Sequence, residues 1–286
     1  MFETASIAWH NGRIVPYEQA NPSIASHSLH LGLGVFDGIM AYWNGDHYYI
    51  HKMTQHLERL ENGSKNMGLG YSWTTQTLEA GIWELLEQLI PRTYYIRPIV
   101  YRSQPTIVIA DDAPVDVAIL AVTVPRDVDK SLSCQISKFE RVSSRAIPVA
   151  WKVCGTYINS YLARTSARSA GFDDGIMLNQ AGNVAEASAA NLLFLHQGAI
   201  ITPSLDSDIF PGITRDTVFD IADNLGVSVI ERTIKPDELA VFEGAFLAST
   251  MMELKPIYCI EYYQYETAKN ELFQRLLAIF HEITHQ

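Results

Sequence analysis

The sequence predicts an α+β fold in two domains, and three observations support this prediction. Its 286 residues are long for one domain and comfortable for two, and 48% hydrophobic with 19% charged residues is an ordinary globular composition. Short alternating segments between turn residues predict strands, and segments with apolar residues every three or four positions predict helices. A polar, aperiodic segment near the middle predicts the domain boundary.

The first domain is predicted over residues 1–124 as a small α+β unit. It opens with a hairpin, because Asn11-Gly12 is a strong two-residue turn between alternating strands. A second hairpin is centred on Asn44-Gly45. The elements predicted next are, in order, helices at about 52–67 and 74–89 and strands at 94–101 and 115–124.

Residues 125–133 read Pro-Arg-Asp-Val-Asp-Lys-Ser-Leu-Ser and are predicted to be the linker, since they are polar and lack periodicity. The second and larger domain is predicted over residues 134–286. Its elements are expected to be, in order, a helix near 159–170, a hairpin turning at 180–182, a strand at 191–196, a helix at 214–225, strands at 227–234 and 245–248, and a helix at 266–281.

Composition argues against several classes of partner. The formal charge of −11, with Lys and Arg scattered singly, argues against nucleic acid. The longest apolar runs are too short to cross a bilayer, and residues 1–19 lack the apolar core of a signal peptide, so neither membrane nor export is expected. Three unpatterned cysteines suit a reducing cytoplasm, which is the expected location. His47 and His51 span a strand end and a helix start, so no metal site is expected.

A lysine among apolar residues is the first chemical signal. Lys152 lies in Val149-Ala150-Trp151-Lys152-Val153, and loss of hydration there would favour the neutral, nucleophilic amine. Tyr157 follows five residues later and can donate a hydrogen bond to an oxygen on a bound ring. Alone, a lysine is more often a solvated surface charge, so the signal gains weight from the residues that follow.

A carboxylate and an anion cradle follow in the chain. Glu186 sits among small uncharged residues and needs a partner, which a protonated pyridine nitrogen would supply. Pro211-Gly212-Ile213-Thr214 leads into a predicted helix whose first N–H groups can bind phosphate, and Arg59 can add a bidentate contact. With the hydroxyls of Ser249-Thr250, these groups are those that a pyridoxal phosphate site requires, including a lysine to hold the aldehyde as a Schiff base.

Six motifs extend this pattern over nearly the whole chain. They are Val35-Phe36-Asp37-Gly38-Ile39, Tyr95-Ile96-Arg97-Pro98, Lys152 with Tyr157-Ile158-Asn159-Ser160, Glu186 through Asn191-Leu192, Phe210 to Asp216, and Ser249-Thr250. Together they resemble the fold-type IV pyridoxal phosphate enzymes, and within them the branched-chain amino acid aminotransferases. The resemblance implies a small α/β N-terminal domain, a larger pseudo-barrel C-terminal domain, and a homodimer in which the neighbouring small domain closes each pocket.

The resemblance also implies a role for each matching residue. Lys152 would form the Schiff base, Glu186 would face the pyridine nitrogen and Tyr157 the ring oxygen. The phosphate would be held by Arg59, Ile213, Thr214 and Thr250. The substrate α-carboxylate would be received by Tyr95 and the amides around Thr250 and Met251. Arg97 would receive a second carboxylate or orient the first, and Phe36 would line the apolar side-chain pocket.

The implied activity is amino-group transfer between an apolar, branched-chain-like L-amino acid and a 2-oxo acid, with ping-pong kinetics. Two departures leave the 2-oxo acid open: Leu31 stands where the family often has tyrosine, and the linker has no tyrosine. In the family, those tyrosines help the counterpart of Arg97 hold the distal carboxylate of glutamate. Asp37 replaces the commoner glutamate, which is a smaller change.

Three alternatives share most of these residues. A D-amino acid aminotransferase would use the same lysine and phosphate site. A lyase of the aminodeoxychorismate type would release pyruvate without an amino acceptor. A ligand-binding protein that has lost turnover would keep the pocket but not the reaction, although the presence of Lys152 argues against it.

Overall fold

The computed structural model describes residues 3–70, 73–109, 114–124 and 130–285. The chain forms two compact units: Met1–Arg126 with Ala150–Thr156 and Thr284–Gln286, and Asp127–Val149 with Tyr157–Ile283. Residues 125–129, most of the predicted linker, lie outside the described residues. The segment that contains Lys152 follows the predicted boundary in sequence, yet it belongs to the first unit.

Within the described residues, the first unit contains one antiparallel sheet and three α-helices. In chain order these are β1 (Ile7–His10), β2 (Arg13–Pro16), α1 (His27–Leu31), β3 (Gly34–Phe36), β4 (Ile39–Trp43), β5 (Tyr48–Ile50), α2 (Met53–Asn66), α3 (Thr75–Glu87), β6 (Tyr94–Arg102) and β7 (Val115–Thr123). The strand order is β2-β1-β7-β6-β4-β5, and β3 also pairs with β6. Strand β6 therefore lies centrally, with its side chains supported by strands on both sides.

The two hairpins of this unit show how local sequence sets the turns. Asn11 and Gly12 both adopt positive φ, 48° and 90°, as a two-residue turn matched to strand twist requires. The second hairpin is wider, since four residues, 44–47, connect β4 to β5. Its loop is closed by Asn44 Oδ1, which accepts hydrogen bonds from the backbone N–H groups of Asp46 and His47 at 3.0 Å.

Helices α2 and α3 cover the sheet with apolar faces. Leu57 and Leu60 of α2, together with Leu78 and Ile82 of α3, are fully buried in one core with the strand residues. Each such side chain contributes about 1.5–3 kcal/mol by leaving water, so these two helices supply much of the cohesion of the unit. Helix α2 thereby carries Arg59 on a rigid element.

The second unit is built on a mixed sheet. Its elements are β8 (Leu132–Ile136), α4 (Tyr157–Ser169), β9 (Asp174–Leu178), β10 (Val184–Ala187), β11 (Asn191–His196), β12 (Ala199–Pro203), α5 (Ile213–Asn224), β13 (Val229–Arg232), β14 (Gly244–Ser249), β15 (Glu253–Ile260), β16 (Tyr263–Gln264) and α6 (Glu271–Thr284). The order is β10-β9-β8-β15-β14-β11-β12-β13, and β16 pairs with β15. Strand β8 begins within the last residues of the predicted linker.

This sheet curls so that its two ends meet. The backbone N–H of Val184 in β10 donates to the carbonyl of Ile234, just beyond β13, at 2.8 Å. The curl separates two apolar cores: Leu192 and Phe194 of β11 face one, whereas Leu193 and Leu195 face the other, which α5 and α6 cover. The predicted α+β class with a barrel-like second sheet is thus confirmed.

Among the described residues, no helix combines the length and apolar character needed to cross a bilayer.

Candidate functional site

Three consecutive residues, the last of β3 and the two that follow it, organise the predicted site residues of the first unit. The ring of Phe36 lies 4.4 Å from Arg97 Cζ and 5.5 Å from Lys152 Nζ, measured to its centroid. Asp37 holds Arg59, and Gly38 leaves room for Tyr95. One short turn therefore contacts or accommodates most of the residues that the sequence singled out in this unit.

The backbone around Lys152 is fixed against β3 and α2. Lys152 adopts a left-handed conformation, φ 53°, between two short 3₁₀ turns, and its carbonyl accepts a hydrogen bond from the N–H of Phe36 at 3.3 Å. A Cβ on Gly63 of α2 would lie 2.6 Å from the carbonyl oxygen of Trp151, so the absence of a side chain permits this approach. These contacts fix the position of the Lys152 backbone, from which the side chain extends.

Arg59 is held by a buried acid. Its Nε and Nη2 donate to Asp37 Oδ2 and Oδ1 at 2.8 and 2.9 Å, and His56 Nδ1 lies 2.8 Å from Oδ1. Burial alone would raise the pKa of Asp37, but the charge of Arg59 and the hydrogen bonds from Arg59 and His56 together hold it well below the usual range. Burial lowers the pKa of His56, and the charge and hydrogen bond of Asp37 offset this effect in part. The bidentate contact expected of Arg59 is thus made to Asp37, and its contact with phosphate stays a prediction.

Tyr95 and Arg97 lie two residues apart on β6, so they share one face of the sheet. Arg97 Nη2 donates to the Tyr95 hydroxyl at 3.1 Å, and a Cβ on Gly38 would lie 1.9 Å from that hydroxyl. The Nε of Arg97 is buried and has no hydrogen-bond partner among the described residues. A half-buried guanidinium with a buried, unmatched Nε is a candidate for binding an anionic ligand.

Glu186 is the buried carboxylate that the sequence singled out in the second unit. It lies on β10 and is 5% exposed. Its Oε2 accepts hydrogen bonds from Asn191 Nδ2 and from the backbone N–H of Phe210, both at 3.0 Å. Arg141 Nε lies 2.8 Å from Oε1, and since its N–H does not point at that oxygen, the contact is an ion pair rather than a hydrogen bond. Two hydrogen bonds to Oε2 and the charge of Arg141 beside Oε1 therefore orient the carboxylate.

Helix α5 begins close to Phe210, with Gly212 as its N-cap and no side chain capping its first N–H groups. Ile213 and Thr214 are its first two residues, and both are buried. Free N–H groups and the helix dipole favour an anion at this end. Thr250 and Met251 form the turn after β14, and Tyr157 is the first residue of α4.

The structure thus brings the predicted residues together in two sets. In the first unit these are Phe36, Arg59, Tyr95, Arg97 and Lys152; in the second, Glu186 is linked through Phe210 to the start of α5 that carries Ile213 and Thr214. Sequence reasoning assigned no role to Arg141, His56 or Asn191, whose polar contacts support these sets. Asn191 stood in a recognised motif, which was the available signal.

Each unit by itself offers groups of the kinds that the predicted cofactor requires. An amine beside an aromatic ring, a buried oriented carboxylate and an uncapped helix N-terminus match an aldehyde, a ring nitrogen and a phosphate respectively. In the described part of the chain, no group of three or more His, Cys, Asp and Glu side chains is placed to bind a metal ion.

Comparisons with known proteins identify the family of this chain. The sequence model of the amino-transferase class IV family matches residues 34–260. A protein of Aquifex aeolicus described as a probable branched-chain-amino-acid aminotransferase is 35% identical over 260 residues, 87% of this chain and 83% of the relative. The similarity therefore extends over most of both chains.

Two solved structures are similar over nearly their full length. The branched-chain aminotransferase of Thermoproteus uzoniensis with norvaline has a TM-score of 0.94 at 33% identity, covering 99% of this chain and 95% of that one. The branched-chain amino acid aminotransferase of Thermobaculum terrenum in its PLP form has a TM-score of 0.93 at 28% identity, with the same coverage.

The buried Asp37 pair gives a stability prediction. Asp37→Asn leaves the Arg59 charge without its carboxylate, so we expect the free energy of unfolding at pH 7 to fall by about 3 kcal/mol or more. Because the folded pKa of Asp37 is lowered, the wild-type advantage is present above the unfolded pKa of about 4 and is lost as pH falls through the lower folded value. Urea unfolding at pH 7 and at pH 3 measures both effects.

The control for this prediction is Glu61→Gln on the same helix. Glu61 pairs with Lys65, whose side chain is largely exposed, and removing such a pair changes stability by about 0.5 kcal/mol or less. Equal losses in the two variants would contradict the importance of the Asp37 pair.

Proposed function

Because this chain belongs to the class IV aminotransferase family, we propose that it is a pyridoxal phosphate enzyme that transfers an amino group between a branched-chain-like L-amino acid and a 2-oxo acid. One observation carries the proposal: the Phe36 ring lies 4.4 Å from Arg97 Cζ and 5.5 Å from Lys152 Nζ. A carboxylate-binding group, an apolar surface and a reactive amine are what an apolar amino acid requires of its site.

The residues of both units fit the cofactor. Pyridoxal phosphate supplies an aldehyde that accepts amines and a ring that withdraws electrons. We assign Lys152 to the aldehyde carbon, Glu186 to the ring nitrogen and Tyr157 to the ring oxygen. The proposed phosphate contacts are Arg59, Ile213, Thr214 and Thr250. The uncapped N-terminus of α5 and the buried Glu186 support these assignments.

Lys152 is also the proposed general base. When the amine of an incoming amino acid replaced Nζ at the cofactor aldehyde, the freed Nζ would take the proton from the substrate Cα and deliver it to the cofactor carbon. The Phe36 ring replaces water on one side of Nζ, and the backbone contacts of residue 152 fix the direction from which Nζ reaches. The fixed backbone and the Phe36 ring therefore limit the positions from which Nζ would act.

Arg97 and Tyr95 are the proposed carboxylate-binding residues, aided by the amides near Thr250 and Met251. Arg97 is held against Phe36 by its stacked guanidinium and against Tyr95 by a hydrogen bond, so little side-chain freedom is lost when a carboxylate binds. Its buried, unmatched Nε supports this role. The neighbouring Phe36 ring gives the apolar part of the substrate a surface to contact.

The proposed location is the cytoplasm, since Cys134, Cys154 and Cys259 are all free thiols. Cell fractionation with an antibody to the protein tests this location, and recovery in an exported fraction would contradict it.

The covalent assignment is tested by reducing the purified, cofactor-loaded protein with borohydride. We expect the reduced adduct on Lys152 when peptides are mapped by mass spectrometry, because this lysine alone among the proposed site residues carries a primary amine. Lys152→Ala should abolish the adduct and the visible absorption, whereas Lys138→Ala, which removes an exposed lysine, should change neither. An adduct on another lysine would refute the assignment.

The substrate assignment is tested by steady-state kinetics with a panel of donors and acceptors. We expect L-leucine, L-isoleucine and L-valine to exceed their D-enantiomers and polar amino acids, and double-reciprocal plots to be parallel, as ping-pong transfer requires. Pyruvate and 2-oxoglutarate serve as competing acceptors. A preference for D-amino acids, or pyruvate release from an aminochorismate without acceptor, would favour the other enzymes of this fold type.

We further propose a homodimer. Ile24 and Leu29 are 84% and 67% exposed, and Ile107, Val108 and Ile109 are 64–72% exposed in the same unit. His27 Nε2, beside Leu29 on α1, lies 2.6 Å from the carbonyl oxygen of Val108, which places these segments side by side. An apolar patch of this kind favours contact with another protein surface.

Sedimentation equilibrium should give twice the mass of one chain, and Val108→Asp should shift the protein towards monomer because it places a charge in the patch. Leu205→Asp, which alters an exposed leucine of the second unit, is the control and should not change the mass. A monomer in the wild type would refute the proposal.

A further inference from the structure

Asn191 contacts two parts of the second unit that the proposed function assigns to opposite ends of the cofactor. It is the first residue of β11 and is 3% exposed. Its Nδ2 donates to Glu186 Oε2 at 3.0 Å and to the carbonyl oxygen of Phe210 at 2.8 Å. Both hydrogens of the amide nitrogen are thereby used, one on the acid and one on the segment that leads into α5.

The oxygen of the same amide lies against the start of α5. A Cβ built on Gly212 would be 2.0 Å from Asn191 Oδ1 and 3.2 Å from its Cγ, so the amide occupies space that a glycine leaves open. Gly212 is the N-cap of α5, directly before Ile213 and Thr214. One side chain therefore contacts the acid through its nitrogen and the helix start through its oxygen.

The Phe210 backbone completes the connection. Its N–H donates to Glu186 Oε2 at 3.0 Å while its carbonyl accepts from Asn191, so Glu186, Asn191 and Phe210 form a closed ring of three hydrogen bonds. Such a ring resists rotation of the carboxylate about its own bonds, because any movement weakens two bonds at once. Arg141 holds the other oxygen.

We propose that Asn191 is a positioning residue that sets the spacing between Glu186 and the N-terminus of α5. The inference rests on the proposed function, in which Glu186 meets the ring nitrogen and the helix meets the phosphate of one rigid molecule. A rigid molecule binds Glu186 and the N-terminus of α5 at the same time without further ordering of the protein only if the spacing between these two groups is already fixed. Asparagine suits the position, since aspartate would add a second negative charge beside Glu186 and alanine would offer neither donor nor acceptor.

The test measures two properties of the protein reconstituted with pyridoxal phosphate: the dissociation constant of the cofactor and the pH dependence of the visible absorption of the Lys152-linked form. We expect Asn191→Ala to raise the dissociation constant about tenfold or more, since buried donors and acceptors around Glu186 lose their partner. The pH profile of the absorption should shift as well, because Glu186 is no longer held at the ring nitrogen. Unchanged values of both would overturn the inference.

Asn179→Ala is the matched control. Asn179 is a buried asparagine of the same unit, and its Oδ1 accepts hydrogen bonds from the N–H groups of Ala181 and Asn183 within its own turn. This variant should lower thermal stability but leave cofactor binding within about twofold of the wild type. If it reproduced both cofactor effects of Asn191→Ala, a general loss of stability would explain them and the inference would fall.

A double-mutant cycle with Gly212→Ala tests the contact itself. In the wild-type background the new methyl group displaces Asn191, so cofactor binding should weaken about tenfold and the pH profile should shift even though Gly212 is not bonded to Glu186. In the Asn191→Ala background the methyl group enters vacated space, and its further effect should be within about twofold. Independent, multiplicative effects would overturn the inference.

If Asn191→Ala does not fold, Gly212→Ala alone tests the inference. Its effect on the pH profile depends on the same contact between Gly212 and the Asn191 amide. The proposed function fails separately, if the wild type forms no borohydride adduct on Lys152. The inference alone fails if the wild type forms the Lys152 adduct but the variants change neither the dissociation constant of the cofactor nor the pH profile of the absorption.

Discussion

Burial of a carboxylate is the constraint on which both halves of the proposed site depend. An ionised acid removed from water must be surrounded by donors, and those donors lose their freedom to point elsewhere. Asp37, with no exposed surface, fixes Arg59 and His56; Glu186, nearly as buried, fixes Arg141 and Asn191. Each unit thus obtains a rigid polar centre inside an otherwise apolar interior, and the groups proposed to meet the cofactor are placed before any ligand arrives.

Periodicity and turn chemistry were sufficient to predict most of the long elements. The hairpin at Asn11-Gly12 and the helices that became α2, α3, α4 and α5 lie close to their predicted positions, because glycine stops and apolar faces act locally. The short strand β3 and the five-residue α1 were not predicted, and β3 pairs with β6, a strand far along the chain. Strand β12 was also missed, although Gln197 and Gly198, both with positive φ, join it to β11 in a local hairpin. Helix α6 begins at Glu271 rather than near 266 because Thr267–Lys269 forms a 3₁₀ turn first.

The candidate site residues were chosen by their chemistry, whereas the residues that support them were not predicted. Amines, acids and the start of a helix can be recognised from residue types and flanking residues, which is how Lys152, Glu186 and Thr214 were proposed. Arg141 and Asn191 both contact Glu186. Asn191 stood in a recognised motif but was given no role, whereas nothing in the residues around Arg141 distinguishes it until the fold places it against the acid. Likewise, Arg59 was predicted to contact phosphate. Its hydrogen bond to Asp37 could not be predicted, because it depends on the packing of α2 against the end of β3.

The discontinuous first unit bears on how this protein is made. Val153 bridges to Val35, and the Cα of Gly155 lies against Gly32, so strand β3 completes its surroundings with chain that is translated more than a hundred residues later. A nascent polypeptide released from the ribosome only as far as the linker would lack these partners. The first unit is therefore completed only after residues 150–156 have emerged, and this segment carries Lys152, the lysine proposed to hold the cofactor.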